Sequence, residues 1–370
     1  MKKSGSDLRS QVGQLIIFGF EGTEFTPELC NRLSVMQPGG IILFKRNLVS
    51  PQQTHALLRE SQKAVATPMF RCVDMEGGLV DRLKDMIAPV VSTSQVAATK
   101  VKKLYREHGR LLGEEVRALG FNVDFAPVMD LGLESSSKVL ASRTVSASAK
   151  ETIVYAKELL EGLKDQHVLG SGKHFPGLGG SSLDSHVDLP IVERSWKQLW
   201  AEDLLPFRQL KSKMPFVMVA HCAYPAVTKD KTPASISKKW MTDILRKKIG
   251  YRGIILSDDL DMGGVLAATS IEEAATTCIR AGADSFLVCQ KEDSVTRAYE
   301  AVLHEAERDR RFRELVKRAA RRIVAYKKRS PELKRKMAPV PDDKCIDKLR
   351  RKNWEFTEEV RLATNRGLAM

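Results

Sequence analysis

Eight short apolar runs recur along this chain of 370 residues, and stretches with the periodicity of amphipathic helices separate most of them. The runs are 15–18, 40–44, 69–73, 123–126, 168–170, 216–220, 253–256 and 285–288. The helical stretches include 101–118, 150–163 and 271–281. Strands that alternate with helices form parallel sheets. Eight such units therefore predict an α/β fold, a single closed (β/α)8 barrel of the TIM type.

A doubly wound open sheet is the alternative arrangement of the same alternating elements. Open sheets that bind dinucleotides carry the glycine pattern GxGxxG at the first turn from strand to helix. The turn that follows 15–18 lacks this pattern, which favours the closed barrel. A barrel takes about 250 residues or more. We therefore predict that residues 1–330 form the barrel and that residues 331–370 are a basic C-terminal extension of unknown role.

The positive charge of the chain is concentrated near its C-terminal end. The net charge is +14, and residues 308–370 carry 21 Lys and Arg against 9 Asp and Glu, which leaves only +2 for everything before them. Such a stretch is most often a solvated helical face, and its only aromatic residues before 337 are Phe312 and Tyr326. A nucleic-acid partner is therefore not expected. A non-catalytic binding protein with a basic tail remains an alternative.

Hydropathy and cysteine usage indicate the cellular compartment of the protein. The first residues lead directly into a charged, periodic segment without the apolar stretch of an export signal. No apolar run approaches the roughly 20 residues that a membrane-spanning helix needs. The six cysteines are widely spaced and form no CxxC pair, which favours reduced thiols. We expect a soluble, cytoplasmic protein that does not bind membranes, and the sequence does not predict its oligomeric state.

Polar and ionisable residues follow the apolar runs in a consistent way. Because the active site of a barrel enzyme forms at the C-terminal ends of different strands, such residues are candidates for one site. A single Asp after a strand can also be the N-cap of the next helix, so the set is more informative than any one member. The candidates at or just beyond the ends of the runs are Asp74, Asp130, Lys173, His174, His221, Asp258 and Asp259.

A glycine-rich loop beyond the fifth run carries further proton-transfer groups. Lys173 and His174 lie at the C-terminal end of the strand that this run predicts, and Asp184 and His186 lie on the loop after Pro176. A carboxylate two residues before an imidazole can fix its tautomer and raise its basicity. An imidazole with a pKa near 6.5 can give and take a proton at neutral pH. A loop histidine with a purely structural hydrogen bond is the alternative interpretation.

Asp258 directly follows Ser257 at the end of the seventh run, and we expect it to point into the mouth of the barrel. It could act as a nucleophile, a metal ligand or a helix cap. The metal alternative would recruit His174, His186, His221 and Asp258 as zinc ligands. The paired pattern His-x-His on one strand is missing, which disfavours this alternative.

In combination, these residues resemble family 3 of the glycoside hydrolases, in its β-N-acetylglucosaminidase branch. The similarity runs from about residue 12 to residue 290. Its most specific parts are the Lys-His-Phe-Pro-Gly segment with the later Asp-Ser-His, and Ser-Asp-Asp-Leu after the seventh run. The matching segments are 13–14, 39–47, 74–83, 122–131, 173–190, 233–235 and 254–262.

The resemblance implies a catalytic barrel that works without metal or cofactor. It assigns Asp258 as the nucleophile that forms a covalent glycosyl-enzyme intermediate, and His186, held by Asp184, as the acid/base. The substrate would be a saccharide that ends in N-acetylglucosamine, with cell-wall muropeptides in the cytoplasm as its natural source. The positions that match those around the terminal sugar are Asp74, Arg82, Arg143, Lys173 and His174.

Two residues depart from the family pattern. Leu79 stands where the family often has Arg after the Gly-Gly pair, and Leu178 stands where it often has His. Neither matches the nucleophile or the acid/base, so we expect catalysis to be kept while contacts to the sugar and the packing of the loop differ. A broader β-glucosidase activity and a phosphorolytic reaction remain alternatives, because a histidine acid/base does not exclude an anion as acceptor.

Overall fold

Eight parallel strands close into a barrel at the centre of the protein, which confirms the predicted (β/α)8 fold. The computed structural model describes residues 7–181, 183, 189–267 and 269–368. Each barrel strand pairs with the next along the chain, and the last pairs with the first. The barrel strands are β1 Ile16–Phe18, β2 Gly40–Ile42, β3 Phe70–Val73, β6 Val123–Asp124, β7 Leu169–Phe175, β8 Phe216–Val219, β9 Ile254–Asp259 and β10 Ser285–Val288. An antiparallel hairpin, β4 Met75–Gly77 and β5 Val80–Asp81, directly follows β3.

Helices surround the barrel, and several begin at a Ser or Thr whose side chain accepts a hydrogen bond from the first turn, as Ser148 and Ser270 do. In chain order the α-helices are α1 Leu8–Gly13, α2 Pro27–Met36, α3 Pro51–Lys63, α4 Thr93–Ala98, α5 Lys102–Ala118, α6 Ser137–Leu140, α7 Ala149–Asp165, α8 Trp196–Ala201, α9 Leu205–Leu210, α10 Pro225–Thr228, α11 Gly263–Leu266, α12 Ile271–Ala281, α13 Glu292–Arg308, α14 Arg310–Arg329, α15 Pro331–Lys334 and α16 Asp343–Leu368. A π-helix spans Lys239–Ile249, and short 3-10 turns lie at Lys45–Asn47, Glu134–Ser136, Ala141–Arg143 and Ala234–Ile236. No helix of the described ranges is both long enough and apolar enough to cross a bilayer.

The barrel interior and the layer between strands and helices form two separate apolar clusters. Alternate residues of a strand point to opposite faces, so seven of the eight barrel strands contribute to both clusters. In β3, Phe70 and Cys72 belong to the interior cluster, while Val73 belongs to the cluster under the helices. This alternation explains why the predicted runs are almost continuously apolar, since both faces of the sheet are buried.

Helix α14 covers the N-terminal mouth of the barrel. The centroid of the Tyr326 ring lies 6.5 Å from that of the Phe70 ring and 6.2 Å from that of the Phe216 ring. Phe70 and Phe216 are the first residues of β3 and β8. The Lys327 amine is buried and donates hydrogen bonds to Gln14 Oε1 at 2.9 Å and to Gly39 O at 2.8 Å. Burial lowers the pKa of Lys327 to about 7. The end of the barrel opposite the strand C-termini is therefore closed by the chain itself.

Helix α16 packs back against the barrel helices. The Phe356 ring stacks on that of His108 in α5, with the ring centroids 5.7 Å apart. Asn353 donates hydrogen bonds to Glu115 Oε1 at 3.1 Å and to Ala88 O at 3.2 Å. Arg350 donates to Ile87 O at 3.0 Å. The last helix thus shares a packed core with the barrel, while the division of the chain at residue 330 stays a prediction.

Replacement of Lys327 by Met is expected to change how stability depends on pH. The folded protein releases the Lys327 proton near pH 7, whereas an unfolded chain holds it to about pH 10. Between these values the unfolded state binds the extra proton, so this residue makes stability rise with pH by about 1 kcal/mol per pH unit. Urea unfolding at pH 7.5, 8.5 and 9.5 should show this slope in the wild type relative to Lys327→Met. Parallel pH profiles for the two proteins would contradict it.

Candidate active site

A cavity of about 150 Å³ opens at the C-terminal ends of the barrel strands. Six of the eight predicted site residues line it together: Asp74, Arg82, Arg143, Lys173, His174 and Asp258. The other two, Asp184 and His186, lie outside the described residues. Their role therefore stays a prediction, while the structure gathers the remaining six around one space.

The strand ends and one hairpin place these side chains. Asp74 follows β3, β7 carries Lys173 and His174, and β9 carries Asp258. The hairpin β4–β5 turns at Gly77 and Gly78, whose φ values of +79° and +62° lie in the left-handed region. A side chain at the first glycine would also meet Val91 O at 2.4 Å. The Gly-Gly pair thus permits the tight turn that brings the residues on either side of it to the cavity.

Asp258 is held as an anion at the cavity wall. Its Oδ1 atom accepts a hydrogen bond from the Asp259 N–H at 2.8 Å, and its side chain remains partly accessible. Burial opposes its ionisation, but nearby His174 and His221, the Asp259 N–H and Lys173 lower its pKa overall. An ionised carboxylate in this position can attack an electrophilic carbon.

Glu76 organises the cations of the cavity. Its buried carboxylate accepts two hydrogen bonds from Arg143, at 2.8 and 2.9 Å, and lies 2.6 Å from Lys173 Nζ. Lys173 Nζ also donates to Asp74 Oδ1 at 2.8 Å. Burial would raise the pKa of Glu76, but Lys173 and Arg143 hold it far below its usual range. The sequence prediction missed this residue, and its one signal was its place between Asp74 and the Gly-Gly pair.

His174 is oriented by Asp130, another of the strand-end candidates. Its Nδ1 atom lies 2.6 Å from Asp130 Oδ2, and the carboxylate is fully buried. The other carboxylate oxygen accepts the Leu178 N–H at 2.7 Å. One carboxylate therefore fixes both the imidazole at the cavity and the first turn of the glycine-rich loop.

His221 makes contacts that hold the C-terminal end of β9 in place. Its Nδ1 atom lies 2.6 Å from Ser235 Oγ, and its Nε2 atom lies 2.7 Å from Asp259 O. The Asp259 carboxylate accepts the Cys289 N–H at 2.9 Å, and burial raises its pKa to about 6. These contacts fix the backbone around Asp258 and leave that neighbouring carboxylate for chemistry.

Arg82 and the two residues that depart from the family pattern differ in their positions relative to the cavity. Arg82 lines the cavity, and its buried Nε atom finds no hydrogen-bond partner among the described residues. Leu178 is buried and lines the same cavity, so this departure changes the wall itself. Leu79 is 66% exposed and is not part of the cavity lining. Of the two departures, only Leu178 lies where it can affect a bound ligand directly.

The predicted alternative of a zinc site gains no support from the geometry. Within the described ranges, no group of three or more His, Cys, Asp or Glu side chains is arranged to hold a metal ion. His174 uses Nδ1 to contact Asp130, and both ring nitrogens of His221 have protein partners. The described part of the cavity instead combines the ionised Asp258 carboxylate with cations that Glu76 and Asp74 balance, an arrangement suited to polar, hydroxyl-rich ligands.

Comparison with known proteins agrees with this chemistry. Residues 7–326 match the model of the glycosyl hydrolase family 3 N-terminal domain. A β-hexosaminidase of Idiomarina loihiensis is 35% identical over 296 residues, which cover 79% of this chain and 88% of that protein. A β-hexosaminidase of Thiobacillus denitrificans is 37% identical over 275 residues, which cover 72% of this chain and 76% of that protein.

The solved structure of a family 3 β-N-acetylglucosaminidase from Paenibacillus sp. str. FPU-7 superposes with a TM-score of 0.90 at 31% identity. The match covers 96% of this chain and 69% of the Paenibacillus chain. The fold, the site and these relatives define an enzyme of the glycoside hydrolase class. Within that class, the chain belongs to glycoside hydrolase family 3, and the predicted resemblance to its β-N-acetylglucosaminidase branch is confirmed.

Replacement of Glu76 by Gln is expected to weaken both the fold and the site. The change removes the buried charge between Lys173 and Arg143, and loss of one partner of a buried ion pair costs about 3 kcal/mol. Because the two cations then lose their common anchor, kcat/KM on an aryl glycoside should fall about 10- to 100-fold. Steady-state kinetics and thermal unfolding measure the two effects.

The matched control for this variant is Glu21→Gln, which removes an exposed ion pair with Arg46. Exposed pairs contribute about 0–1 kcal/mol, so this control should keep its activity and nearly all its stability. If Glu76→Gln kept the wild-type kcat/KM, Glu76 would have no organising role.

Proposed function

We propose that this enzyme is a retaining exo-β-N-acetylglucosaminidase that removes terminal N-acetylglucosamine from cell-wall muropeptides. The observation that carries the proposal is the ionised Asp258 facing a small cavity with a network of ion pairs in its wall. The cavity volume of about 150 Å³ is below the usual range of roughly 300–1,000 Å³ for drug-sized ligands. Such a space suits one terminal sugar ring, which favours exo action. The curated relatives are named β-hexosaminidases, in agreement with this sugar class.

In the first step, the Asp258 carboxylate attacks the anomeric carbon of the terminal sugar. The bond from that carbon to the leaving oxygen breaks, and His186 gives its proton to this oxygen. The product is a covalent ester between the sugar and Asp258. In the second step, His186 takes a proton from water, the water oxygen attacks the anomeric carbon, and the ester bond breaks to restore the carboxylate. The two displacements together retain the anomeric configuration.

Asp184 and His186 take the acid/base role by their match to the family motif. Most retaining glycosidases use a second carboxyl group, so a histidine-aspartate dyad is a departure from the common pattern. The described base of their loop is well anchored, because Tyr224 donates a hydrogen bond to Gly177 O at 2.8 Å. A loop of about 15 residues in a compact domain is commonly functional, and we propose that this one closes over the sugar.

The remaining lining residues are proposed to bind the terminal sugar. Asp74 would accept hydrogen bonds from ring hydroxyls, because an ionised carboxylate is an acceptor only. Arg82, with its unpartnered buried Nε atom, would donate to a sugar oxygen. Lys173 and Arg143, held by Glu76, would do the same from fixed positions. His174 would present the ring edge that Asp130 does not occupy.

A cytoplasmic role in cell-wall recycling is part of the proposal. All six cysteines are free, and four of them are buried. Free thiols persist in a reducing compartment, whereas exported proteins tend to pair them. Muropeptides that have entered the cytoplasm would supply the terminal N-acetylglucosamine.

The choice of sugar and acceptor can be tested with activated substrates. We expect hydrolysis of 4-nitrophenyl β-N-acetylglucosaminide at least 100-fold faster than that of 4-nitrophenyl β-glucoside, measured as kcat/KM. Addition of 10 mM phosphate should leave the rate and the free-sugar product unchanged. Comparable rates on both sugars would favour a broader β-glucosidase, and formation of a sugar 1-phosphate would favour phosphorolysis.

The two catalytic assignments differ in how they depend on the leaving group. Asp258→Ala should lose activity on every substrate, by about 1,000-fold or more, because the nucleophile is gone. His186→Ala should lose about 10²- to 10⁴-fold on a disaccharide, which needs a proton on its leaving oxygen, and far less on the nitrophenyl glycoside. The exposed His304 offers a control, since His304→Ala should behave as the wild type. Equal losses of His186→Ala on both substrates would contradict the acid role.

A further inference from the structure

The segment 310–336 holds most of the unbalanced charge of the protein. It contains 13 Lys and Arg against two acidic residues, a net charge of +11 out of +14 for the whole chain. It comprises α14, α15 and the two residues that follow α15. Most of its cations are exposed, whereas Lys327 is buried in the barrel mouth.

These cations lie at the end of the barrel opposite the active site. The last turns of α14 sit over the first residues of β3 and β8, and the catalytic cavity lies at the other ends of the strands. A groove runs along each side of α14. One is lined by Lys317, Arg321 and Lys328, and the other by Lys164, Arg252 and Arg329 together with the acidic Glu161 and Glu332. With the exposed Arg318, we call these lysines and arginines the basic face.

Most cations of the basic face have no acidic partner. In the described part of the chain, no carboxylate lies within ion-pair distance of five of its members: Lys164, Arg252, Arg318, Lys328 and Arg329. Elsewhere on the surface the pattern differs, since Arg106 and Arg110 share Asp165, and Arg297 pairs with Glu272. Positive charges that outnumber the nearby carboxylates create a field that attracts an anionic partner.

The chemistry of the basic face selects among anionic partners. The described residues of 310–336 include no large exposed apolar side chain, so the face offers nothing to insert into a lipid surface. Its two aromatic residues, Phe312 and Tyr326, pack inward, so stacking on bases is not available. A surface of arginine and lysine without aromatic residues favours phosphate groups as ligands. The planar arginine guanidinium can donate two parallel hydrogen bonds to one phosphate.

We propose that the basic face binds the phosphodiester backbone of nucleic acid duplexes without sequence preference. From Arg318 to Arg329 the helix rises by about 16 Å, and duplex DNA presents one charge per roughly 1.7 Å of its axis, so several phosphates come within reach. The sequence argument against nucleic acid rested on the frequency of solvated basic helices and on the missing aromatics, and backbone contacts do not require aromatics. In this binding mode, the active site of the barrel faces away from the nucleic acid.

The test measures binding of a fluorescein-labelled 20-base-pair duplex by anisotropy between 50 and 200 mM NaCl. We expect log K to fall linearly with log salt, with a slope near −4 for about four or five phosphate contacts. The variant Arg318→Glu, Arg321→Glu, Lys328→Glu, Arg329→Glu should bind at least 30-fold more weakly. The milder pair Arg318→Ala, Arg329→Ala should reduce the slope by about two. If the variant with four charge reversals does not fold, this double alanine variant still tests the proposal.

The matched control places the same charge change on exposed lysines at the starts of outer helices, and should bind within threefold of the wild type. It combines Lys102→Glu, Lys150→Glu, Lys197→Glu and Lys239→Glu. Hydrolysis of the nitrophenyl substrate should be the same with and without duplex. Equal loss of binding in both fourfold variants would overturn the proposal, since net charge alone would then explain it. Inhibition by the duplex, or retention on phosphatidylglycerol vesicles with no duplex binding at 100 mM NaCl, would overturn it as well.

Discussion

The buried Glu76 carboxylate between Lys173 and Arg143 is the contact on which the site depends. Two cations in a small cavity would repel each other and would be costly to bury, and one carboxylate within 2.9 Å of both offsets this cost. Lys173 also reaches Asp74, so the wall carries fixed donors and acceptors in known positions. Lys173 also helps to lower the pKa of Asp258, the proposed nucleophile in the same wall.

The two ends of the barrel carry different chemistry. At the N-terminal end, α14 fills the mouth with Tyr326 and Lys327 and leaves its outer face rich in arginine and lysine. At the C-terminal end, the last residues of β7 and β9 place His174 and Asp258 in the wall of one cavity. Because all eight strands are parallel, their C-terminal ends gather at the face that carries the active site in barrel enzymes, and the opposite face serves stability.

Much of the architecture could be predicted from alternation alone. The eight apolar runs became the eight barrel strands, and six predicted site residues surround one cavity, since parallel strands bring their C-terminal ends to one side. Glu76 escaped prediction because it lies in the short hairpin β4–β5 rather than at a barrel-strand end. The pairing of His174 with Asp130 spans 44 residues and has no local signal. The placement of α14 across the mouth depends on tertiary packing, which charge counts do not describe.

Asp130 links two parts of the molecule that the chain separates. One of its oxygens contacts the His174 imidazole, and the other accepts the amide of Leu178, just inside the glycine-rich segment. The His174 imidazole, proposed to bind the sugar, and the start of the glycine-rich segment are therefore both held by this one buried carboxylate. A displacement of Asp130 would move the His174 imidazole and the Leu178 backbone together. Ligand binding and loop position are therefore coupled through this carboxylate, and the coupling does not require a loop side chain to contact the imidazole.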